Sequence, residues 1–190
     1  MNFKALLNMV IMLLLKPAMA WKAVSHSKSR EPMLSKFLYP MIMLCSLSAF
    51  LGTLFTHEFG GESFYLAMVR TGLKFVTFFF AYHLLSFMVA KLPRLMLNAE
   101  CSRLATDLLS GFSMVVVLLL DICLGLFPNF RIIAWIMQFY TMKIVWDGVA
   151  VLLRVPEDGR LGISVAVSLL VLVVPFAMEQ AISFLTVSLG

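Results

Sequence analysis

Residues 108–127 read LLSGFSMVVVLLLDICLGLF, twenty positions with a single charge, Asp121. At 1.5 Å per residue a helix of that length is about 30 Å long, the thickness of a bilayer's hydrocarbon core. No water is present there to satisfy backbone N–H and C=O groups, so the run must be a helix that closes its own hydrogen bonds. Four more apolar runs flank it: Phe37 to Phe55 with Pro40 near its start, one within Phe64 to Ala90, one at about Ile132 to Leu153, and one from Leu161 with Pro175 inside. The expected fold is all-α, an integral membrane bundle of about five transmembrane helices over residues 37–190, with a short N-terminal arm over 1–36. The Phe64–Ala90 run is longer than one flat crossing needs. Beyond Glu179 the tail Ala181–Leu189 is apolar again, and its pattern fits either a longer last helix or a surface segment.

Composition agrees with that reading. Hydrophobic residues make up 62% of the chain and charged ones 13%, with a mean hydropathy of +0.98. Soluble domains carry about 25% charge, and no polar stretch here is long enough for a separate soluble domain. Net charge is +5, but the basic residues sit at the ends of apolar runs with no aromatic-interleaved groove between them, which argues against nucleic acid. Their expected work is to set orientation and meet anionic headgroups. Cys45, Cys101 and Cys123 have neither metal nor redox spacing and are read as plain thiols.

The connections are short. His57–Glu62 forms an acidic turn, Lys91-Leu92-Pro93-Arg94 opens a polar connector that reaches Asp107, Pro128-Asn129 turns tightly, and Arg154–Arg160 is a charged loop. Lys and Arg number eleven in the N-terminal segment, the 91–107 connector and the 154–160 loop, against three (Arg70, Lys74, Arg131) on the opposite side. That asymmetry puts the N-terminus in the cytoplasm, and an odd number of spans puts the C-terminus outside. The expected location is the cell membrane (inner or plasma), multi-pass.

The arm carries two competing signals. Ala5 to Leu15 has signal-peptide length and is followed by Ala18-Met19-Ala20, a small-x-small site. Lys16 and Pro17 interrupt it, however, and cleavage would export Lys22, Lys28, Arg30 and Lys36 against the positive-inside tendency. The reading adopted is an uncleaved short helix at the cytoplasmic interface, stopped by Pro17 and anchored by Trp21. Its polar face, Lys4 and Asn8, is thin, so it should sit deep or pack on the bundle.

Ionisable residues within the spans are the strongest functional signal. Each costs about 2.5–3.5 kcal/mol at the bilayer centre even on a lenient scale. Lys74, Asp121, Lys143 and Asp147 together would cost on the order of 10 kcal/mol if unpaired, so partners or water are expected. Asp121 lies about 9 Å from the outer end of its span, within the depth range of Lys74. Lys143 and Asp147 are four apart and share a helix face with Tyr140 and Arg154. A charged stripe facing lipid is costly, so this stripe is expected to face the interior. The cluster is either a polar path or a set of charge pairs that fix helix register, and the pairing explanation is the simpler.

Enzymatic patterns are thin. Gly111-Phe112-Ser113 supplies Gly-x-Ser and His83 is on the neighbouring run, but no glycine follows the serine as a nucleophile elbow requires. His57-Glu58 lacks a second histidine four positions on, and no phosphate-binding loop is present. No catalytic, cofactor or metal residues are assigned, and no enzyme activity is expected.

Two motifs carry a family resemblance. Pro17-x-x-x-Trp21 before the first span, and Tyr140-x5-Trp146-x-Gly148 followed by Leu152-Leu153-Arg154-Val155-Pro156-Glu157 and Arg160, are similar to the corresponding elements of bacterial Yip-domain proteins. The resemblance runs over nearly the whole chain and implies a helical five-span membrane domain. Eukaryotic members associate with prenylated Rab-type GTPases, but their Asp-Leu-Tyr-Gly-Pro signature is absent here, as is their long N-terminal extension, so GTPase binding does not follow. The function implied is a non-enzymatic membrane scaffold or protein-interaction module. A small transporter or channel using the intramembrane charges is the alternative. Expected partners are the lipid bilayer and other membrane proteins or the chain itself, with no nucleic acid.

Overall fold

The computed structural model describes residues 3–56, 61–97, 100–155 and 157–188, and all regular structure among them is helical. The His57–Gly60 part of the acidic turn, Pro156 and Leu189 lie outside the described residues. Among the described residues four helices are long and apolar enough to cross a membrane: span one (Glu31–Phe55), span two (Gly61–Met96), span three (Arg103–Leu126) and span five (Glu157–Leu185). Span four is a bent pair, Pro128–Gln138 and Tyr140–Leu153, meeting at 41°. Counting that pair as one crossing gives the five expected. Two short helices, α1 (Phe3–Leu15) and α2 (Pro17–Ser25), precede them.

Local chemistry explains the boundaries. Pro17 occupies the first turn of α2, where its missing N–H costs no hydrogen bond, so one residue stops α1 and starts the next helix. Span four ends at Arg154, whose φ of 50° and ψ of 36° place it in the left-handed region that closes a helix. The apolar tail after Glu179 continues the last helix to Ser188. Polar side chains within spans return their hydroxyl protons to their own helix: Ser46 to Ile42 O, Thr77 to Leu73 O, Ser110 to Thr106 O and Ser168 to Ser164 O, all at 2.7–3.0 Å. That bond makes a hydroxyl tolerable where water is absent.

Span three is the axis of the bundle, with 61% of its most apolar window buried against 39% in spans two and five. Span two packs on spans one and five and on the first half of span three, and span one packs on the second half. Span four meets span five and the N-terminal hairpin. Cross-contacts give the directions. Arg30 meets Asp107 and Cys45 meets Leu118 O, so spans one and three run the same way. Ser86 meets Asp107 while Lys74 meets Asp121, so span two runs opposite. At Gly52 and Gly125 the backbones of spans one and three touch, leaving no space for a Cβ on Gly52. Small residues are what allow such an approach, since packing rather than hydrophobicity holds helices together in lipid.

The N-terminal arm departs from its expected place. α1 packs on the bundle, as its thin polar face requires, but at mid-height: Leu6, Leu7 and Val10 line an apolar recess of about 70 Å³ with Met41, Leu119 and Ile122. That is well away from the Arg30–Asp107 end. Trp21 is not an interfacial anchor, because it is fully buried. The helix of span one begins at Glu31 rather than Phe37.

Candidate functional site: two charged ends and a tryptophan seam

Span three carries two acids, Asp107 and Asp121, fourteen residues and therefore about 21 Å apart along its axis. Each collects a cluster from its neighbours. At Asp121, Lys74 Nζ lies 2.6 Å from Oδ1 and also 2.9 Å from Glu179 Oε1, so one ammonium ties spans two, three and five together. The Lys74–Asp121 pair is the one expected from depth alone. Glu179 is an additional member that the sequence reading left in the tail of span five. Lys74 also lies 5.6 Å from the centroid of the Phe78 ring.

At the other end Asp107 is buried and accepts from Ser86 Oγ. Arg103 Nε approaches Oδ1 at 3.2 Å and Arg30 Nη1 approaches Oδ2 at 3.5 Å. This cluster joins the start of span one, span two and the start of span three. The sequence reading missed it because Asp107 falls at the end of a polar connector, where a solvated acid is unremarkable. The available signal was Arg103-x-x-x-Asp107, an i,i+4 pair at a helix start. Cys101 lies nearby, its Sγ 3.8 Å from Leu153 O, and burial pushes its thiol above the ordinary value.

The Tyr140, Lys143 and Asp147 stripe is split: the Asp147 side chain is 13% exposed and stays in the packed face, whereas Lys143 does not. Lys143 is 57% exposed, and its Nζ pairs at 3.1 Å with Asp147 Oδ2 on the same helix. A long apolar stem lets the ammonium leave the packed face while the local partner holds it. Tyr140 OH donates to Leu14 O at 2.5 Å, and Arg154 is exposed beyond the helix end. The two charge pairs are thus independent sites rather than one cluster.

The residues of the two motifs come together. Trp21 Nε1 donates to Ile144 O at 2.8 Å, and its ring lies edge-on to Phe112 with centroids 6.1 Å apart. A Cβ on Gly148 would stand 2.7 Å from both the Trp21 ring and Leu109 Cδ1, so this seam needs glycine. Pro17 is buried at the start of the same helix. Trp146 faces the other way and carries the Arg160 guanidinium 4.5 Å from its ring centroid. Arm and span four are thereby locked by residues 123 positions apart.

No family model, curated protein or solved structure matches this chain. What it can do chemically is therefore read from its own groups. Among the described residues the Ser113 hydroxyl has no hydrogen-bond partner, while His83 is exposed and bonded through Nδ1 to Phe79 O, so these two do not form the pair a serine hydrolase requires. Among the described residues no group of three or more His, Cys, Asp or Glu is placed to hold a metal. The three cysteines are free.

Proposed function

We propose that this chain is a non-enzymatic, multi-pass protein of the cell membrane that serves as a scaffold or protein-interaction module of the Yip-domain type. In this reading the basic end of the bundle, where Arg30 meets Asp107, faces the cytoplasm. The observation that carries it is the Lys74–Asp121–Glu179 cluster: one ammonium is bound by two carboxylates at 2.6 and 2.9 Å. A transport site must release such contacts to take up cargo and needs water on at least one side. The recesses at the Lys91–Arg103 connector and beside α1 are not lined by Lys74, Asp121 or Glu179. The juxtaposition of Pro17, Trp21 and Gly148 supports the family assignment, since both motifs then serve one structural seam.

The test is water access. In a version with Cys45, Cys101 and Cys123 replaced, Thr77→Cys and Ser110→Cys put thiols at buried positions near the two acids and leave the charges intact. The expected result is no reaction with a small membrane-impermeant thiol reagent, while Arg154→Cys, exposed at a loop, labels readily. Rapid labelling at Thr77→Cys would replace the scaffold with a transporter. A photo-crosslinking residue at the exposed Ile136 should yield a discrete protein adduct in cells, and adducts with lipid alone would count against an interaction module.

A further inference from the structure

A recess of about 410 Å³ opens at the basic end of the bundle, between the end of span two and the connector leading into span three. Its lining brings together Lys91, Arg94 and Arg103 with Phe87 and Leu95, and among the described residues no carboxylate lines it. Arg103 turns Nε toward Asp107 and Nη2 toward Ser86 Oγ at 3.5 Å, but it remains 57% exposed, and its guanidinium carries further N–H donors for another acceptor. Lys91 Nζ sits 4.1 Å from the centroid of the Phe87 ring. Arg94 is exposed and makes no ion pair among the described residues. Asp107 already offsets Arg103, so it is Lys91 and Arg94 that repel each other across the hollow unless a further anion joins them.

Depth and lining indicate which anion. Span two has 36 residues, about 54 Å of helix, against about 30 Å of hydrocarbon and 40–45 Å including headgroups. Its last turns therefore lie at headgroup level. Arg103 is one helical turn, about 6 Å, beyond Asp107 in the same direction. Phe87 and Leu95 are 51% and 77% exposed, an apolar rim that a soluble anion does not need and that a glycerol backbone with acyl chains fills. We propose that this recess is a binding site for an anionic phospholipid of the leaflet at the basic end. The phosphate sits among Lys91, Arg94 and Arg103, and an acyl chain descends along Phe87. The site is independent of the scaffold reading, because it requires only that the helices span a bilayer.

The experiment uses the full chain in mild detergent, with phosphatidylglycerol and phosphatidylcholine as probes. Native mass spectrometry reads the lipid retained, and thermal unfolding reads its effect. Phosphatidylglycerol should be retained about tenfold better than phosphatidylcholine and should raise the unfolding temperature. The double variant Lys91→Gln/Arg94→Gln should lose about thirtyfold in retention, the size expected from removing two cations at a membrane surface. Lys22→Gln/Lys28→Gln removes equal charge from exposed positions outside the recess and should change retention less than twofold. Equal loss in the two double variants would mean diffuse surface charge and would overturn the site. So would equal retention of the two lipids by the unaltered protein, or the same thermal shift from inorganic phosphate alone. Circular dichroism checks helix content in each variant; if the double variant does not fold, Lys91→Gln alone carries the comparison.

Discussion

The two acids of span three solve one problem in opposite ways. Asp121 shares a single lysine with a second carboxylate, whereas Asp107 takes two arginines and a serine for itself. The first cluster carries one negative charge in excess, the second one positive charge. Exposure differs too: the Asp107 side chain is 4% exposed and that of Asp121 17%. Both arginines at Asp107 are 57% exposed and reach outward, while Lys74, at 22%, is held inside. A guanidinium can serve a buried carboxylate with one edge and the headgroup region with another. An ammonium between spans has no such second outlet. The asymmetry of Lys and Arg between the loops of the two ends is therefore repeated in the packing of those ends.

The difference can be broken most forcefully at the basic end. Asp107→Ala removes the acceptor of Ser86 Oγ and the partner of two arginines, and should lower unfolding stability by about 3 kcal/mol, the lower edge for breaking a buried ion pair. Equilibrium unfolding in mixed micelles measures it. A loss below about 1 kcal/mol would mean that Asp107 is solvated and the two ends are not comparable.

The acidic end is expected to be softer, because three groups share the charge. Asp121→Asn should cost about 2 kcal/mol, and Lys74→Met in the same molecule should restore part of it, with a coupling of about 1 kcal/mol. Glu179→Gln should cost less than Asp121→Asn, since Glu179 is half exposed. A strictly additive Lys74/Asp121 cycle would remove the pair from the account of stability.

The smallest effect belongs to a pair outside both ends. Lys143→Gln removes the partner of Asp147 in an i,i+4 contact whose lysine is 57% and whose carboxylate is 13% exposed, and should lower stability by about 0.5–1 kcal/mol. A larger value would mean that Asp147 depends on Lys143 as a buried acid does and belongs with the two acids of span three.

Trp21 and Asp107 show where sequence reasoning stops in this fold, and the Leu108–Phe127 run shows where it succeeds. Bilayer thickness and the need to satisfy every backbone group act on each segment separately, so the helical class, the spans and the Pro17 break are legible residue by residue. The depth match between Lys74 and Asp121 is legible as well, because rise per residue is fixed. Which face of a span meets protein and which meets lipid is not, since acyl chains are as apolar as leucine and leave no polar stripe to mark the outside. That choice put Lys143 outside and Trp21 inside against expectation. It also brought Glu179 to Lys74 from 105 positions away and gave Asp107 a second arginine, Arg30, from just before span one. Only the three-dimensional arrangement brings such distant groups within bonding distance, and it decides the character of both ends.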